Sequence, residues 1–270
     1  YSCLRWKPEV DATLANELRV GSEINGNAVF AVEGGHAATL AGTVHVCPPT
    51  PKLLFNGAAR LEGPLVGEGF TSAGNLVLAP ANNAARPVVL AAPPQINGGR
   101  LWSGGGADSR VVVGVACPDV GALTGWGNAR FVCGLADAFP ARPKPNVFAQ
   151  NAAQALTVDL NGFDQAFGGC QDGSAARPGV VTFLNSAETC ATLTLNQTVD
   201  HAACGYRITG LLNLVSQGTA SLTVTNTVSL DGTLTVRNGT LTLADPAADG
   251  TPLATRVVVE TGGALDLNGV

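Results

Sequence analysis

The chain has 270 residues, enough for one long β domain or two smaller ones. Apolar residues make up 46% of it but aromatics only 5%, and 34 Gly and 16 Pro argue against long helices and against a core of ordinary bulky side chains. Charged residues are only 13%, 15 basic against 20 acidic for a net charge of −5, which excludes a basic track for nucleic acid; no apolar run reaches the about eighteen residues of a membrane span.

Residues 1–20 are the one segment with helical character. Val10, Leu14 and Leu18 fall about one turn apart, with Glu9 and Asp11 near the start, which predicts either a short helix covering the first coil or an irregular arm. Short strands follow at 28–32 and 38–46, with Asn25-Gly26 offering a positive-φ turn before them. Cys47-Pro-Pro-Thr-Pro51 ends that run, because proline donates nothing to a ladder. Further strands are expected at 52–55, 75–78, 87–91 and 110–116, broken by Asn56-Gly57, Asn97-Gly-Gly99 and Ser103-Gly-Gly-Gly106. Three prolines within the six positions 140–145 mark a stiff connector or a long surface loop.

Beyond Asn146 the alternation tightens. Leu193 and Leu195 point one way while Thr192, Thr194 and Asn196 point the other; Leu222 and Val224, Leu234 and Val236, and Leu241 and Leu243 repeat the pattern. Asn238-Gly239 fits a two-residue hairpin turn and fits a solenoid corner equally. Asp159-Leu-Asn-Gly162 returns unchanged as Asp266-Leu-Asn-Gly269, and recurrence over that distance favours stacking. Strands this short bury no face alone and must stack on their neighbours. The expected fold is all-β: a right-handed parallel β-helix with an arm or cap over 1–20, irregular coils with long loops over 21–145 and regular repeats over 146–270. Coils of about 20–30 residues would number about ten and, at about 4.8 Å each, build a body about 50 Å long.

The phrase Ala155-Leu-Thr-Val-Asp-Leu-Asn-Gly-Phe-Asp-Gln-Ala-Phe-Gly-Gly169, with Ala191-Thr-Leu-Thr-Leu-Asn196, Gly232-Thr-Leu-Thr-Val-Arg-Asn-Gly239 and Thr261-Gly-Gly-Ala-Leu-Asp-Leu-Asn-Gly269, resembles the repeat of bacterial autotransporter passenger domains. The likeness covers about 150–270. It implies a parallel β-helix that is exported or surface displayed and carries no active site. The chain departs from that family in its cysteine content and in having no membrane β-barrel, which points toward a eukaryotic or viral surface protein of the same architecture.

Seven cysteines, Cys3, Cys47, Cys117, Cys133, Cys170, Cys190 and Cys204, are widely spaced, so a zinc site is disfavoured; at least two disulfides are expected, with buried thiols as the alternative. The odd count leaves one cysteine free or linked to another chain. Sequons at Asn196 and Asn238 agree with an extracellular, cell-surface or virion-surface setting. The chain opens on Tyr1 rather than Met, as a processed precursor or a trimmed chain would, so the lack of a visible leader says little.

Chemistry has few footholds. Asp108, Asp119, Asp137, Asp159, Asp164 and Asp172 are candidate carboxylates for a polysaccharide-cleaving β-helix enzyme, although Asp beside Asn-Gly is turn chemistry. His36, His45 and His201 are scattered, and no third metal ligand is nominated near the first two. Trp102, Trp126 and Phe131 stand close to glycines, as sugar-stacking rings would, or as rings packing their own loops. The leading expectation is a non-enzymatic structural subunit of a fibre, coat or surface layer. It needs no cofactor and associates with itself or with other surface structural proteins. The C-terminal text, Leu265-Asp-Leu-Asn-Gly-Val270, stops in mid-repeat, so more chain or another subunit is expected to cover it. The alternatives are an adhesin-like module binding glycan or protein, and then the enzyme.

Overall fold

The computed structural model describes residues 3–21, 28–47, 50–149, 154–169, 177–200, 204–244 and 253–267. They fall into two compact units, 1–141 and 142–270. In the first unit the coils run in chain order as β1 (Cys3–Trp6), β2 (Ala12–Leu14), β3 (Leu18–Val20); β4 (Val29–Val32), β5 (Ala38–Leu40), β6 (Val44–Val46); and β7 (Lys52–Phe55), β8 (Ala59–Leu61), β9 (Leu65–Gly67). They continue as β10 (Asn75–Ala79), β11 (Val88–Leu90), β12 (Pro94–Gln95); β13 (Arg100–Gly105), β14 (Arg110–Val113); and β15 (Ala122–Gly127), β16 (Arg130–Cys133).

Each strand pairs in parallel with its counterpart one coil away, never with its neighbour in sequence. One sheet runs β1-β4-β7-β10-β13-β15, a second β2-β5-β8-β11-β14-β16, and a third β3-β6-β9-β12. Cys3 lies beside Val29, Val29 beside Lys52 and Arg100 beside Ala122, steps of 26, 23 and 22 residues. Inward side chains therefore form columns: Ala38-Ala59-Val88-Val111-Phe131 and Leu40-Leu61-Leu90-Val113-Cys133, all buried. Burying one such Leu, Val or Phe contributes about 1.5–3 kcal/mol, so a column outweighs any single polar contact in the coil.

The second unit holds β17 (Asn146–Phe148), β18 (Ala155–Asp159), β19 (Gln165–Phe167), β20 (Arg177–Asn185), β21 (Ala191–Asn196), β22 (Cys204–Gly210) and β23 (Leu212–Gln217). After these come β24 (Leu222–Val224), β25 (Val228–Val236), β26 (Gly239–Leu243), β27 (Ala254–Val259) and β28 (Gly263–Asp266). Here too the pairing is parallel. Val158, Phe183, Ile208 and Val228 form one inward column, and Leu193, Leu214 and Leu234 another, continued by Val257. The few aromatics are concentrated inside: the Phe183 and Tyr206 rings meet edge to face at 5.2 Å, and the buried Tyr206 hydroxyl donates to the Val147 carbonyl at 2.7 Å. This satisfies the one polar atom that tyrosine brings into the core. β26 pairs with β24 and β28 rather than with β25, so Asn238-Gly239, with Gly239 at φ 67°, is a corner and not a hairpin.

Two expectations are overturned. No helix occurs among the described residues, and the segment read as either a short helix or an irregular arm is instead β1, β2 and β3. The reason lies in Ala12-Thr-Leu14 and Leu18-Arg-Val20, which alternate with period two and align with Ala38-Thr-Leu40 and Val44-His-Val46. Leu18 is buried while Val10 is exposed, so the three residues share no helix face. Nor does any disulfide form among the described residues. Cys47, Cys117 and Cys190 are free thiols. Cys133 and Cys204 stand in the apolar columns, beside Val113 and Val224, where a cysteine serves as a small apolar side chain.

Candidate functional site

Three places gather polar or unpaired groups. The first is an ionic clasp on the third sheet of the first unit. The alternation that turns Leu18, Val20, Val44 and Val46 inward turns Arg19 and His45 outward, and Glu68 follows β9 in the next coil. Arg19 pairs with Glu68, while His45 lies 2.7 Å from Glu68 through Nδ1 and 3.0 Å from Glu17 through Nε2. Three coils are thereby joined. Such partly exposed pairs are worth about 0–1 kcal/mol each, so the clasp fixes register more than stability. Cys47, buried beside it, has its Sγ 3.8 Å from Glu68 Oε2; burial chiefly, with Glu68 adding to it, raises its thiol above the ordinary value. A cysteine held as thiol is the opposite of an activated nucleophile.

The second place is a corner network in the second unit. Asn185 Oδ1 accepts from the Gly162 N–H at 2.8 Å, and its Nδ2 donates to the Thr189 and Leu211 carbonyls, each at 2.7 Å. One amide thus binds the coil before and the coil after. Asp159, itself buried, accepts from the Ser186 N–H at 2.9 Å and the Ser186 hydroxyl at 2.7 Å. Asp164 accepts from the Thr192 N–H at 2.6 Å, Asn213 from Thr233 at 2.9 Å, and in the first unit Asp11 from Ala37 at 2.8 Å. Asp159, Asp164, Asn213 and Asp11 each meet a backbone N–H of the following coil, and Asn185 one of the coil before, the device by which a corner satisfies donors that no strand pairs.

The third place is an edge. Val257 and Val259 continue the columns of the buried Leu234 and Val236, yet they are 45% and 49% exposed. Among the described residues no strand pairs with the far edge of β27 or of β28.

These positions place the remaining sequence candidates. Phe131 is fully buried in a column. Trp102 lies in β13 on the outward side, half-buried, between Val77 and Thr124. Trp126 lies in β15 opposite Gly104, so both tryptophans belong to strands rather than glycine loops. Asp108, Asp119 and Asp137 are exposed. His36 sits 3.8 Å from Asp11 at a corner, on a different element from His45, and among the described residues no three ligating side chains gather as a metal site would need. Asn196 ends β21 half-buried, while Asn238 is exposed at its corner. Asp172, His201 and Cys170 lie outside the described residues, as does the Cys3 side chain. Sequence reading missed the clasp; its only signal was a charged or imidazole residue between two apolar ones in Leu18-Arg-Val20 and Val44-His-Val46.

The chain is a parallel β-solenoid. Its coils, columns and corner side chains are those of a structural repeat protein. No family model, curated protein or solved structure matches the chain. No helix among the described residues is long and apolar enough to cross a membrane.

Proposed function

We propose that this chain is a non-enzymatic structural subunit of a fibre, coat or surface layer, displayed outside a cell or on a virion. One observation carries the reading. The side chains best suited to chemistry, Asp159, Asp164 and Asn185, are engaged in holding the backbone of adjacent coils. A glycosidase instead needs two carboxylates facing one bond. The autotransporter-like phrases and the exposed Asn238 sequon lend support to surface display.

Incubation with a panel of polysaccharides, read by new reducing ends and unsaturated products, is expected to release nothing, and immunogold labelling of native material should fall on extracellular or particle-surface structures. Sugar release, or label confined to the cell interior, overturns the reading. A second reading, a glycan-binding adhesin, draws on Trp102, whose buried indole N–H meets no acceptor among the described residues. Quenching of tryptophan fluorescence by a glycan, lost in Trp102→Ala, would favour it over the first.

A further inference from the structure

Asn-Gly pairs carry a chemistry of their own, because glycine has no Cβ to shield its nitrogen from the asparagine amide before it. Four pairs lie among the described residues: Asn56-Gly57, Asn97-Gly98, Asn161-Gly162 and Asn238-Gly239. The fold restrains three of them. The Gly98 N–H donates to the Asp119 carbonyl at 2.8 Å, and the Asn97 amide is tied to the Phe70 carbonyl at 3.1 Å. The Gly162 N–H donates to Asn185 Oδ1 at 2.8 Å. Gly239 opens β26 in register with Gly263, so its peptide group is held in a ladder. Asn56 differs. It is exposed, and among the described residues the Gly57 N–H meets no acceptor. The Asn56 backbone is fixed by the coils on either side, its N–H donating to the Val32 carbonyl at 3.0 Å and its carbonyl accepting from Arg86 Nη1 at 3.3 Å. That leaves unengaged the side-chain amide and the nitrogen that can attack it.

We propose that Asn56 is a self-modification site, losing its amide spontaneously through a cyclic imide formed with Gly57. Hydroxide takes the Gly57 amide proton, and the freed nitrogen attacks Asn56 Cγ. The N–Cγ bond forms, the Cγ–Nδ2 bond breaks, and ammonia leaves with a proton taken back from water. Water then opens the five-membered ring at either carbonyl, giving aspartate or isoaspartate, and no oxidation or reduction occurs. Both products set a new carboxylate beside Arg86, which already stands on the Asn56 carbonyl. The isoaspartyl form also lengthens the main chain by one carbon, at a corner that has no slack. A Cβ on Gly57 would run into the His36 carbonyl of the coil before. The reaction needs no enzyme and no partner, so it is independent of the structural role proposed above.

The test holds the 270-residue chain folded at mildly alkaline pH and follows each asparagine amide by peptide mass mapping, beside a second sample in denaturant. In the folded chain Asn56 should react at least about fivefold faster than Asn97, Asn161 or Asn238, because each of those must first give up a backbone or side-chain hydrogen bond worth about that factor. The unfolded chain should lose this ranking, since all four pairs then have the same glycine and no restraint. An isoaspartyl methyltransferase should label the Asn56 peptide of the aged parent, and Asn56→Ser, at an exposed position, should remove that label without changing the circular dichroism. An Asn56 amide that survives as long as that of Asn97 in the folded chain overturns the proposal. So does a ranking that denaturant leaves unchanged, which would trace it to local sequence rather than to the fold.

Discussion

Cys117 shows how burial decides what a residue can do. Its thiol is fully buried, donates to the Val115 carbonyl at 3.4 Å, and is pushed by desolvation from 9.0 up to about 12. Cys190, at the corner between β20 and β21, is exposed. Under native conditions at mildly alkaline pH, an alkylating reagent should modify Cys190 and spare Cys117, as peptide mass mapping would show; rapid loss of the Cys117 thiol would contradict its placement. The raised value has a thermodynamic counterpart. Below pH 9 both folded and unfolded chains hold the proton. Above it the unfolded chain releases the proton first, so stability falls with rising pH until the folded thiol also ionises at about 12. Cys117→Ala should flatten that alkaline slope in denaturant titrations. The disulfides expected from cysteine count failed for the same reason: composition cannot distinguish a cysteine meant for a bond from one filling a column.

At the scale of elements, alternation carried most of the legible information. Leu193 and Leu195 are buried and Thr192 and Thr194 half-exposed, as period two requires, and β7 and β21 occupy the expected spans. What period two cannot show is which strand lies beside which, because the same Asn238-Gly239 turns a hairpin or a corner. Glycine misled as well. Gly104 and Gly105 read as a break but lie within β13, where a Cβ on Gly105 would run into the Ser109 side chain. The N-terminal segment failed because three apolar residues at helical spacing coexist with two short strand triplets, and stacking on the next coil outweighs a single turn of helix. Corner glycines bear on the same point. A Cβ on Gly63 would run into the Gly42 carbonyl, and one on Gly42 into Asn16, so these corners stack backbone on backbone. Gly63→Ala should cost about 1–3 kcal/mol in a denaturation curve, whereas Gly98→Ala meets nothing within 4 Å and bears only the strain of its φ of 74°.

For the molecule as a whole, the candidate sites were legible only in part. Asp159 and Asp164 were visible as turn residues, but their partners lie 27 and 28 residues away and no local pattern reveals them. The clasp of Arg19, His45 and Glu68 was hidden for the same reason, since its members become neighbours only after three coils have closed.

Parallel columns with steps of about one coil make the chain's length arithmetic in whole turns. Val77 stands beside Trp102, so excising residues 77–101 brings Leu76 to Trp102 and sets Ala59 and Leu61 against Val111 and Val113, apolar on apolar. That shortened chain should stay soluble with an unchanged β-type spectrum, while excision of 77–89 should leave columns facing solvent and a chain that aggregates. Growth and shrinkage by complete turns is thus open to this sequence, and change by any fraction of one is closed.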